Sequence, residues 1–496
     1  MRIVILFFLT IFVASCAEQS AEQLKPPVKD SVTEKNSAAE KTSEESFKIV
    51  IGTFRGNAQR NYYGNEPPAK LNLRWKIHLG KGKSSSYRKG GNDYWEGAGW
   101  TGQPLLTREN DTLYLYQGSL DYNLKKINAT DGRILWQYKF DDIIKGTGSL
   151  SSLESVGDVN MKHVIIQGSR RGYGTSLGSK NAFSLRAISA LTGKEIWRYN
   201  VPQTHSVSRD VDGSPLILRD TLYAGLENGI LSVLNPIKTT EDIKWLEPEV
   251  IDEFKLFGAT KGKTNIVIES SPVLLGNRIF LATGAGYVYG MNLKSKEIDW
   301  EFHIGSDLNG TPAITQDSCL LIPIEKQHIP GSGGLLKLNP AKDPEESVVW
   351  FLPTGNKSFL DWQGGIVGSP AVNTLYSKVS GKSLAAVNGI DGYLYLIDTD
   401  SVSSNERVTG FDGKSLFATP IIYDKFRMGA SISSPLIIND VVIAGGYNGL
   451  HLFRITPELK LELVDLFRTS LEATPIVYDG RIYVGSRDGY LYCFGD

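Results

Sequence analysis

Short apolar runs, alternating with polar residues at every second position and ending at turn residues, recur along most of the chain. The clearest stretch is residues 270–302, where four such runs are separated by Gly276-Asn277, by Gly284-Ala285-Gly286 and by a polar turn at 294–297. A period of two is typical of β-strands, and glycine and asparagine adopt positive φ angles at low cost in the turns. This stretch shows no helical period. The pattern predicts one four-stranded antiparallel sheet, which cannot bury both of its faces alone.

The same unit is repeated along the chain. Each copy begins with a small or polar residue followed by proline and an apolar strand, at Gln103-Pro104, Ser214-Pro215, Ser271-Pro272, Thr311-Pro312, Ser369-Pro370, Ser434-Pro435 and Thr474-Pro475. A weaker copy without the proline begins near Ser151-Ser152. Self-similarity at roughly 40–65 residues with four strands per copy is typical of β-propeller blades. We count eight blades, and a ring of seven is the alternative if the weaker copy is only an insertion.

The two ends of the repeat region complement each other. The last copy, residues 473–496, supplies three strands, whereas Leu71–Leu79 is a lone strand that carries Trp75 and has no blade before it. Pairing the two would complete the last blade and remove two sheet edges that otherwise promote aggregation. The sequence therefore predicts an all-β, eight-bladed propeller of four-stranded antiparallel blades, closed by pairing of an N-terminal strand with the C-terminal blade.

Composition and charge agree with this fold and exclude one class of partner. The chain contains 51 glycines, 22 tyrosines and 9 tryptophans, as expected for many turns and large packed aromatic residues. Its formal net charge is −1, so no overall electrostatic attraction draws it to nucleic acid. We expect a monomer that does not bind nucleic acid.

The first residues predict export and a lipid anchor. Arg2 is followed by a largely apolar stretch at 3–13, which is shorter than the about 20 residues that span a bilayer. The residues Val13-Ala14-Ser15-Cys16 resemble the lipobox of bacterial lipoproteins, which implies cleavage before Cys16 and lipid attachment to it. We divide the chain into a signal peptide at 1–15, a flexible lipid-anchored tether at 16–46 and the propeller at 47–496.

Metal-ligating residues are scattered. Cys319 and Cys493 fall in predicted blades five and eight, too far apart for a disulfide or a zinc site. The six histidines show no ligand spacing. The run Asp210-Val211-Asp212-Gly213 resembles the start of a calcium loop but lacks the later ligands, so a turn is the better interpretation. We predict no metal and no cofactor.

The repeat resembles the quinoprotein-type, or PQQ-like, propeller repeat. The resemblance covers about residues 70–496 and rests on the proline starts and on the Gly-Tyr-apolar-Tyr strands at 286–289, 392–395 and 489–492. In quinoprotein dehydrogenases it would imply quinone, Ca²⁺, a catalytic Asp and often adjacent cysteines, but this chain has no adjacent cysteines. The BamB-type branch of non-catalytic outer-membrane lipoproteins has a lipobox, eight blades and no cofactor. This chain is longer than that pattern and carries large insertions.

Aromatic residues divide into two groups by their position in the repeat. Five tryptophans recur at one blade position, which predicts packing between adjacent sheets, at Trp136, Trp197, Trp245, Trp300 and Trp350. The loop at 80–100 departs from that register and offers the best candidate contacts for a partner or ligand, because Trp, Tyr and Arg dominate interface hot spots. These candidates are Tyr87, Arg88, Tyr94, Trp95 and Trp100. A plug over one mouth of the channel is the alternative role for this loop.

One further loop carries a basic pair. The glycine-rich stretch at 168–181 could contact an anion through Arg170 and Arg171, although a mobile hairpin loop is the favoured interpretation. No spacing indicates a catalytic nucleophile or a paired acid and base.

The complete repeat set and the lack of catalytic motifs favour a lipid-anchored, extracytoplasmic scaffold without catalysis. We expect it to bind protein partners in the cell envelope and to be an outer-membrane lipoprotein held by lipid on Cys16. The alternatives are a quinone-dependent dehydrogenase and a surface carbohydrate-binding lipoprotein.

Overall fold

Eight antiparallel sheets of four strands form a ring in the computed structural model, which describes residues 46–84, 94–241, 245–257 and 264–496. The predicted eight-bladed propeller is confirmed, and the weaker copy near Ser151 is a full blade. Helical structure in the described residues consists of an α-helix at Val159–Lys162 and 3₁₀ turns at Pro344–Glu346 and Val379–Gly381. No described helix has both the length and the apolarity needed to cross a membrane.

The strands of each blade follow one another from the channel outwards. Blade 1 consists of Leu105–Glu109, Thr112–Gly118, Asn123–Asn128 and Ile134–Lys139, and blade 2 of Ser149–Ser152, His163–Gly168, Leu185–Ser189 and Glu195–Tyr199. Blade 3 consists of Leu216–Leu218, Thr221–Gly225, Ile230–Glu241 and Leu246–Lys255, and blade 4 of Val273–Leu275, Arg278–Ala282, Tyr287–Asn292 and Glu297–His303. In blades 5 to 7 they are Ala313–Ile314, Leu320–Ile324, Gly334–Leu338 and Val348–Pro353; Ala371–Val372, Leu384–Asn388, Tyr393–Thr409 and Leu416–Arg427; Leu436–Ile438, Val441–Gly446, Gly449–Ile455 and Leu461–Phe467. Blade 8 consists of Ile476–Tyr478, Arg481–Gly485, Tyr490–Gly495 and, outermost, Leu73–His78. A small separate hairpin pairs Lys81–Lys83 with Tyr94–Glu96.

Ring closure follows the prediction. Leu73–His78 pairs antiparallel with Tyr490–Gly495, and Trp75 lies opposite Cys493. The Trp75 Nε1 donates to the Ala129 carbonyl of blade 1 over 3.1 Å. The first and last segments of the described fold are therefore held together by a strand ladder and by a tryptophan that reaches the next blade.

Most of the repeated tryptophans pack between blades as predicted. The Nε1 atoms of Trp197, Trp300 and Trp350 each donate to a carbonyl of the following blade, at 2.9, 3.0 and 3.3 Å. Trp245 differs, because it lies outside the outer strand of blade 3, where it packs edge-on against Phe183 of blade 2. The prediction that it shares the common blade position was wrong, since an insertion lengthens this hairpin and carries Trp245 beyond the shared register.

The residue before the repeated proline links neighbouring blades near the channel. In four successive blades the backbone N–H of this residue donates to the side-chain hydroxyl of the equivalent residue in the next blade, each over 2.9 Å. The donor and acceptor pairs are Ser214 and Ser271, Ser271 and Thr311, Thr311 and Ser369, and Ser369 and Ser434. At these four junctions the hydroxyl oxygen accepts the buried N–H of the previous blade. The proline that follows needs no partner for its nitrogen.

The channel of the ring is filled by the chain's own N-terminal segment. Phe47–Ile51 pairs antiparallel with the inner strand of blade 1, and residues 53–65, called here the channel segment, continue inside the ring. Gly64 has a φ of +114°, and a Cβ there would lie 1.5 Å from the Val477 carbonyl oxygen of blade 8. The fit is tight enough that only glycine is accommodated at this point.

Two buried arginines anchor the channel segment. The Arg55 guanidinium donates to the Pro370 carbonyl over 2.8 Å, and Arg60 donates to the Pro272 and Ser214 carbonyls, both over 3.0 Å. Both side chains are fully buried, and burial lowers the pKa of Arg60 to about 9, so it remains charged at neutral pH. The segment therefore connects blades 3 and 4 on one side of the channel to blade 6 on the other.

Candidate functional site

The inner strands all begin at one mouth of the channel, which we call the start mouth. It is formed by the connections that lead into the inner strands and by the turns between second and third strands. In seven blades, the residue three positions before the proline lies in this region, and these residues are Thr101, Asp212, Glu269, Asn309, Val367, Ile432 and Glu472. Their chemistry divides the mouth, because blades 3 to 5 contribute polar or acidic residues and blades 6 and 7 contribute apolar ones.

A cluster of carboxylates forms the acidic side. One oxygen each from Asp212, Glu227 and Glu269 lies within 4.8 Å of the others, and Asp212 and Glu227 are buried. The Lys145 ammonium forms an ion pair with Asp212 and lies 3.9 Å from Glu269. Three carboxylates at this spacing repel one another, so the cluster depends on a cation, and Lys145 supplies it.

The environment shifts the pKa values of this cluster strongly. Burial, followed by the charge of neighbouring carboxylates, raises the pKa of Glu227 well above its ordinary value. Burial raises the pKa of Glu269 to about 8. Burial opposes the charge of Lys145, but the carboxylates of Asp212 and Glu227 outweigh it and raise the Lys145 pKa. Part of the cluster is therefore protonated at neutral pH, and an added positive charge would favour its ionisation.

A second pair of carboxyl groups extends the acidic side into blade 5. Burial raises the pKa of Asp307 to about 6 and that of Glu325 to about 8. The Asn309 amide donates to Glu325 over 3.2 Å, and the Asn265 amide donates to Asp307 over 3.0 Å. The acidic side thus spans the start of three consecutive blades.

The basic pair at 168–181 is tied to this region. The Arg170 Nε lies 3.4 Å from an Asp210 carboxylate oxygen, and the Arg171 Nη1 lies 3.7 Å from the other. Arg170 also donates to the Ser84 hydroxyl over 3.0 Å. The anion that these arginines contact is Asp210 of the same chain, which lies in the connection into blade 3.

The predicted contact residues differ in their position and in the exposure of their side chains. Tyr87 and Arg88 lie outside the described residues. Tyr94 is 53% exposed, and Trp95 is half-buried, with the Arg170 and Arg487 guanidinium groups 5.1 and 5.3 Å from its ring. Trp100 is buried among Val367, Ile390 and Ile432, and its Nε1 donates to the Ile432 carbonyl over 3.0 Å.

Trp100 precedes blade 1 in sequence but contacts the connections into blades 6 and 7. It therefore reaches across the start mouth to blades 6 and 7. Tyr94 is the member of the predicted set with a largely exposed side chain in the described structure. Trp95 is the middle residue of the hairpin strand Tyr94–Glu96 and lies opposite Gly82.

Sequence reasoning missed the acidic cluster and the anchoring arginines. Asp210-Val211-Asp212-Gly213 was interpreted as a turn, and its carboxylates were not connected with Glu227 or Glu269. The register of the repeat contained a usable signal, because Asp212 and Glu269 both occupy the position three residues before the proline. Arg55 and Arg60 had no such signal, since they stand outside the repeat.

Cys319 and Cys493 are buried and unpaired in blades 5 and 8. Burial raises the pKa of Cys319 to about 11 and that of Cys493 to about 12. Neither thiol ionises near neutral pH, so neither is a reactive nucleophile.

Comparisons with known proteins lead to one group. The family model described as outer membrane protein assembly factor BamB matches residues 73–300. The outer membrane protein assembly factor BamB of Shewanella oneidensis is 23% identical over 314 residues, which is 62% of this chain. That match spans 64% of the relative's own length.

The fold is also found in a solved structure. The crystal structure of BamB from Moraxella catarrhalis matches 86% of this chain and 100% of its own, with a TM-score of 0.52 and 12% sequence identity. At this identity the likeness concerns the fold alone.

Proposed function

We propose that this chain, a β-propeller of PQQ-like repeats that resembles BamB, is a non-catalytic protein-binding scaffold. It works in outer-membrane assembly in a bacterial cell envelope, as a monomer anchored to the outer membrane through lipid on Cys16. The relatives named assembly factors support the process, and the geometry of the start mouth supports the mode of action. Function is carried by sites and not by the fold itself, so the proposal rests on that mouth.

The observation that carries the proposal is the filled channel. Arg55 and Arg60 bind the carbonyl groups of opposite blades, and Trp100 spans the start mouth. A ring filled by its own chain is stiff and presents a fixed surface, which reduces the entropy lost on binding. What remains accessible at the start mouth includes the aromatic hairpin with the exposed Tyr94 and the half-buried Trp95, and such residues are typical of protein interfaces.

The dehydrogenase alternative requires a quinone and Ca²⁺ at the channel. Lys145 forms ion pairs with Asp212 and Glu269, and Trp100 covers the apolar side. A quinone with Ca²⁺ would have to displace both Lys145 and Trp100 from these positions. Incubation of the purified protein with quinone and Ca²⁺ tests this point, and stoichiometric uptake with dye-linked alcohol oxidation would replace the scaffold proposal by an enzyme.

Site-specific crosslinking in intact cells tests the scaffold. A photo-crosslinking amino acid at Tyr94 should give a defined adduct with an envelope protein of the assembly machinery. The matched control is Leu375, which is 52% exposed in the turn between the first two strands of blade 6, at the opposite mouth. Equal adducts at both positions, or none at Tyr94, would contradict the proposed surface. Binding on a glycan array would instead support the carbohydrate-binding alternative.

The lipid anchor is tested separately. Cys16 lies outside the described residues, so its role rests on the lipobox-like residues around it. Replacing Cys16 by Ala should release the protein into the soluble fraction after cell disruption. A variant that stays in the membrane fraction would show that another feature anchors the chain.

A further inference from the structure

A cavity of about 500 Å³ lies between blades 6 and 7, on the side of the start mouth. Its walls come from the turn at 390–392, from residues 426–430 and from residues 447–451 and 463–468. Lys357 and Phe359 of the connection into blade 6 complete it. This volume falls in the range of small-ligand pockets, about 300–1,000 Å³.

The inner walls of the cavity are apolar and aromatic. Phe359 packs against Tyr447 with ring centroids 4.8 Å apart. Phe426 packs edge-on against the buried Phe453 at 4.9 Å. Aliphatic side chains from both blades complete the lining, namely Ile390, Met428, Leu463 and Leu466. Such walls favour an apolar group.

The rim of the cavity is positively charged. Lys357, Arg427 and Arg468 line it, and each is exposed. Within the described ranges none of the three side chains has an ion-pair or hydrogen-bond partner. The carboxylate in the lining, Asp391, already accepts bonds from the Gly355 N–H over 2.9 Å and from the Tyr395 hydroxyl over 2.5 Å. Three cations therefore face one satisfied carboxylate.

His451 lines the cavity and carries a buried polar atom. The residue is 4% exposed, and its Nδ1 has no hydrogen-bond partner among the described residues. Burial lowers its pKa, although the nearby Gly449 and Ala444 carbonyls oppose the shift. The imidazole is therefore neutral at pH 7, and a buried polar atom without a partner costs free energy that a ligand could restore.

We propose that this cavity binds an apolar group that carries a carboxylate. The apolar part lies against Phe359 and Phe426, and the carboxylate is held by Arg427 and Arg468, with His451 as a further polar partner. Two sources share this chemistry, the C-terminal residue of a polypeptide and a medium-chain fatty acid. The inference does not depend on the scaffold role.

Calorimetric titration of the purified propeller with matched probes tests this site. The probes are decanoate, the peptide acetyl-Ala-Ala-Phe with a free carboxylate, the same peptide as C-terminal amide, and inorganic phosphate. At least one carboxylate probe should bind at a single site, whereas the amide and phosphate should bind at least about tenfold more weakly, because a hydrogen bond to a charged group contributes about 1.5–3 kcal/mol. Decanoate alone would assign the site to fatty acids, and the peptide alone would assign it to chain termini.

Variants locate the binding. The double substitution Arg427→Gln with Arg468→Gln should weaken the carboxylate probe at least about tenfold. The matched control is Arg133→Gln with Arg407→Gln, which removes two exposed arginines far from the cavity lining and should leave binding unchanged. His451→Phe should weaken binding of the peptide with a free carboxylate but not binding of its C-terminal amide. Equal binding of acid and amide, no binding of either carboxylate probe, or equal loss in test and control pairs would overturn the proposal.

Discussion

Several buried ionisable side chains lie at the channel. Carboxyl groups in low-dielectric surroundings favour the neutral form, which is why burial raises the pKa of Glu325 to about 8. Arginine behaves differently, because its guanidinium stays charged and must find acceptors. Arg55 and Arg60 find them in the carbonyl groups at the starts of the inner strands. The same interior therefore raises the pKa of Glu325 and leaves Arg60 charged at neutral pH.

Stability should fall as the pH rises from about 5 to about 8. The pKa of Glu325 is raised from the ordinary 4.5 to about 8, so the folded protein holds a proton that the unfolded chain releases. The stabilisation from this group is fully present below the ordinary value and is lost as pH rises through about 8. Denaturant unfolding at several pH values should show that the free energy of unfolding of Glu325→Gln changes less with pH than that of the parent chain. A slope identical to that of the parent would contradict this assignment.

Removing an anchoring arginine should destabilise the ring. Arg55→Met leaves the Pro370 carbonyl, and the Ser369 and Pro435 carbonyls at 3.4 Å, without their donor. A buried acceptor without a partner costs about 1–3 kcal/mol. We therefore expect the free energy of unfolding to fall by at least about 1 kcal/mol. The matched control is Arg133→Met at an exposed position, which should change little. Equal melting temperatures for the two variants would show that the channel segment is held by other contacts.

At the scale of the blade, the residue before the proline gives a matched pair of test sites. Thr311 Oγ1 accepts the Ser271 N–H over 2.9 Å, whereas Thr474 Oγ1, at the same blade position, has no hydrogen-bond partner among the described residues. Both residues are buried. The hydroxyl thus contributes to blade coupling at one position and not at the other.

Threonine-to-valine substitutions at these two sites should change the free energy of unfolding differently. Thr311→Val leaves a buried N–H without its acceptor and should cost about 1–3 kcal/mol in the free energy of unfolding. Thr474→Val removes a hydroxyl that has no partner and should be neutral or stabilising. Chemical denaturation of both variants measures the difference. The same loss at both positions would mean that shape, and not the hydrogen bond, selects the residue.

Insertions act at the element scale by extending or relocating single strands. The hairpin of Tyr393–Thr409 and Leu416–Arg427 extends beyond its blade, and its Phe411 packs against Phe302 of blade 4 and Phe351 of blade 5. The insertion in blade 3 moves Trp245 out of the common register in the same way. Insertions are therefore used to join neighbouring blades, which the repeat pattern alone does not reveal.

At the scale of the whole molecule, the ring and the channel segment depend on each other. Residues 47–80 contain the strand inside the ring, the two anchoring arginines and the outer strand of blade 8. Their removal would expose the edge of the last blade and empty the channel. Residues 16–45 of the predicted tether lie outside the described residues.

Two deletions separate these contributions. Deleting residues 47–80 should cause aggregation or a much lower melting temperature, because loss of one fully buried large aromatic such as Phe54 alone costs about 3–5 kcal/mol of a typical domain stability of about 5–15 kcal/mol. Deleting residues 17–46 should change the melting temperature little. If both deletions melt at the same temperature, the ring closes without the N-terminal strand.

The sequence by itself determined the repeating element and the closing strand, and it favoured eight blades over seven. Alternation with a period of two fixes which residues face which side of a sheet, and turn residues mark where strands end. Trp75, Trp300 and the residue-proline pairs could be placed because each lies in the repeat. These are local signals, and they are complete within one blade.

Only the tertiary structure decided what stands at the centre of the ring. Asp212, Glu227 and Glu269 meet because neighbouring blades bring distant segments to one mouth, and Arg55 and Arg60 reach blades hundreds of residues away. His451 acquires its position in a cavity between two blades for the same reason. Contacts between blades depend on the curvature and closure of the ring, which no single repeat encodes, so the candidate sites remain invisible until the ring is closed.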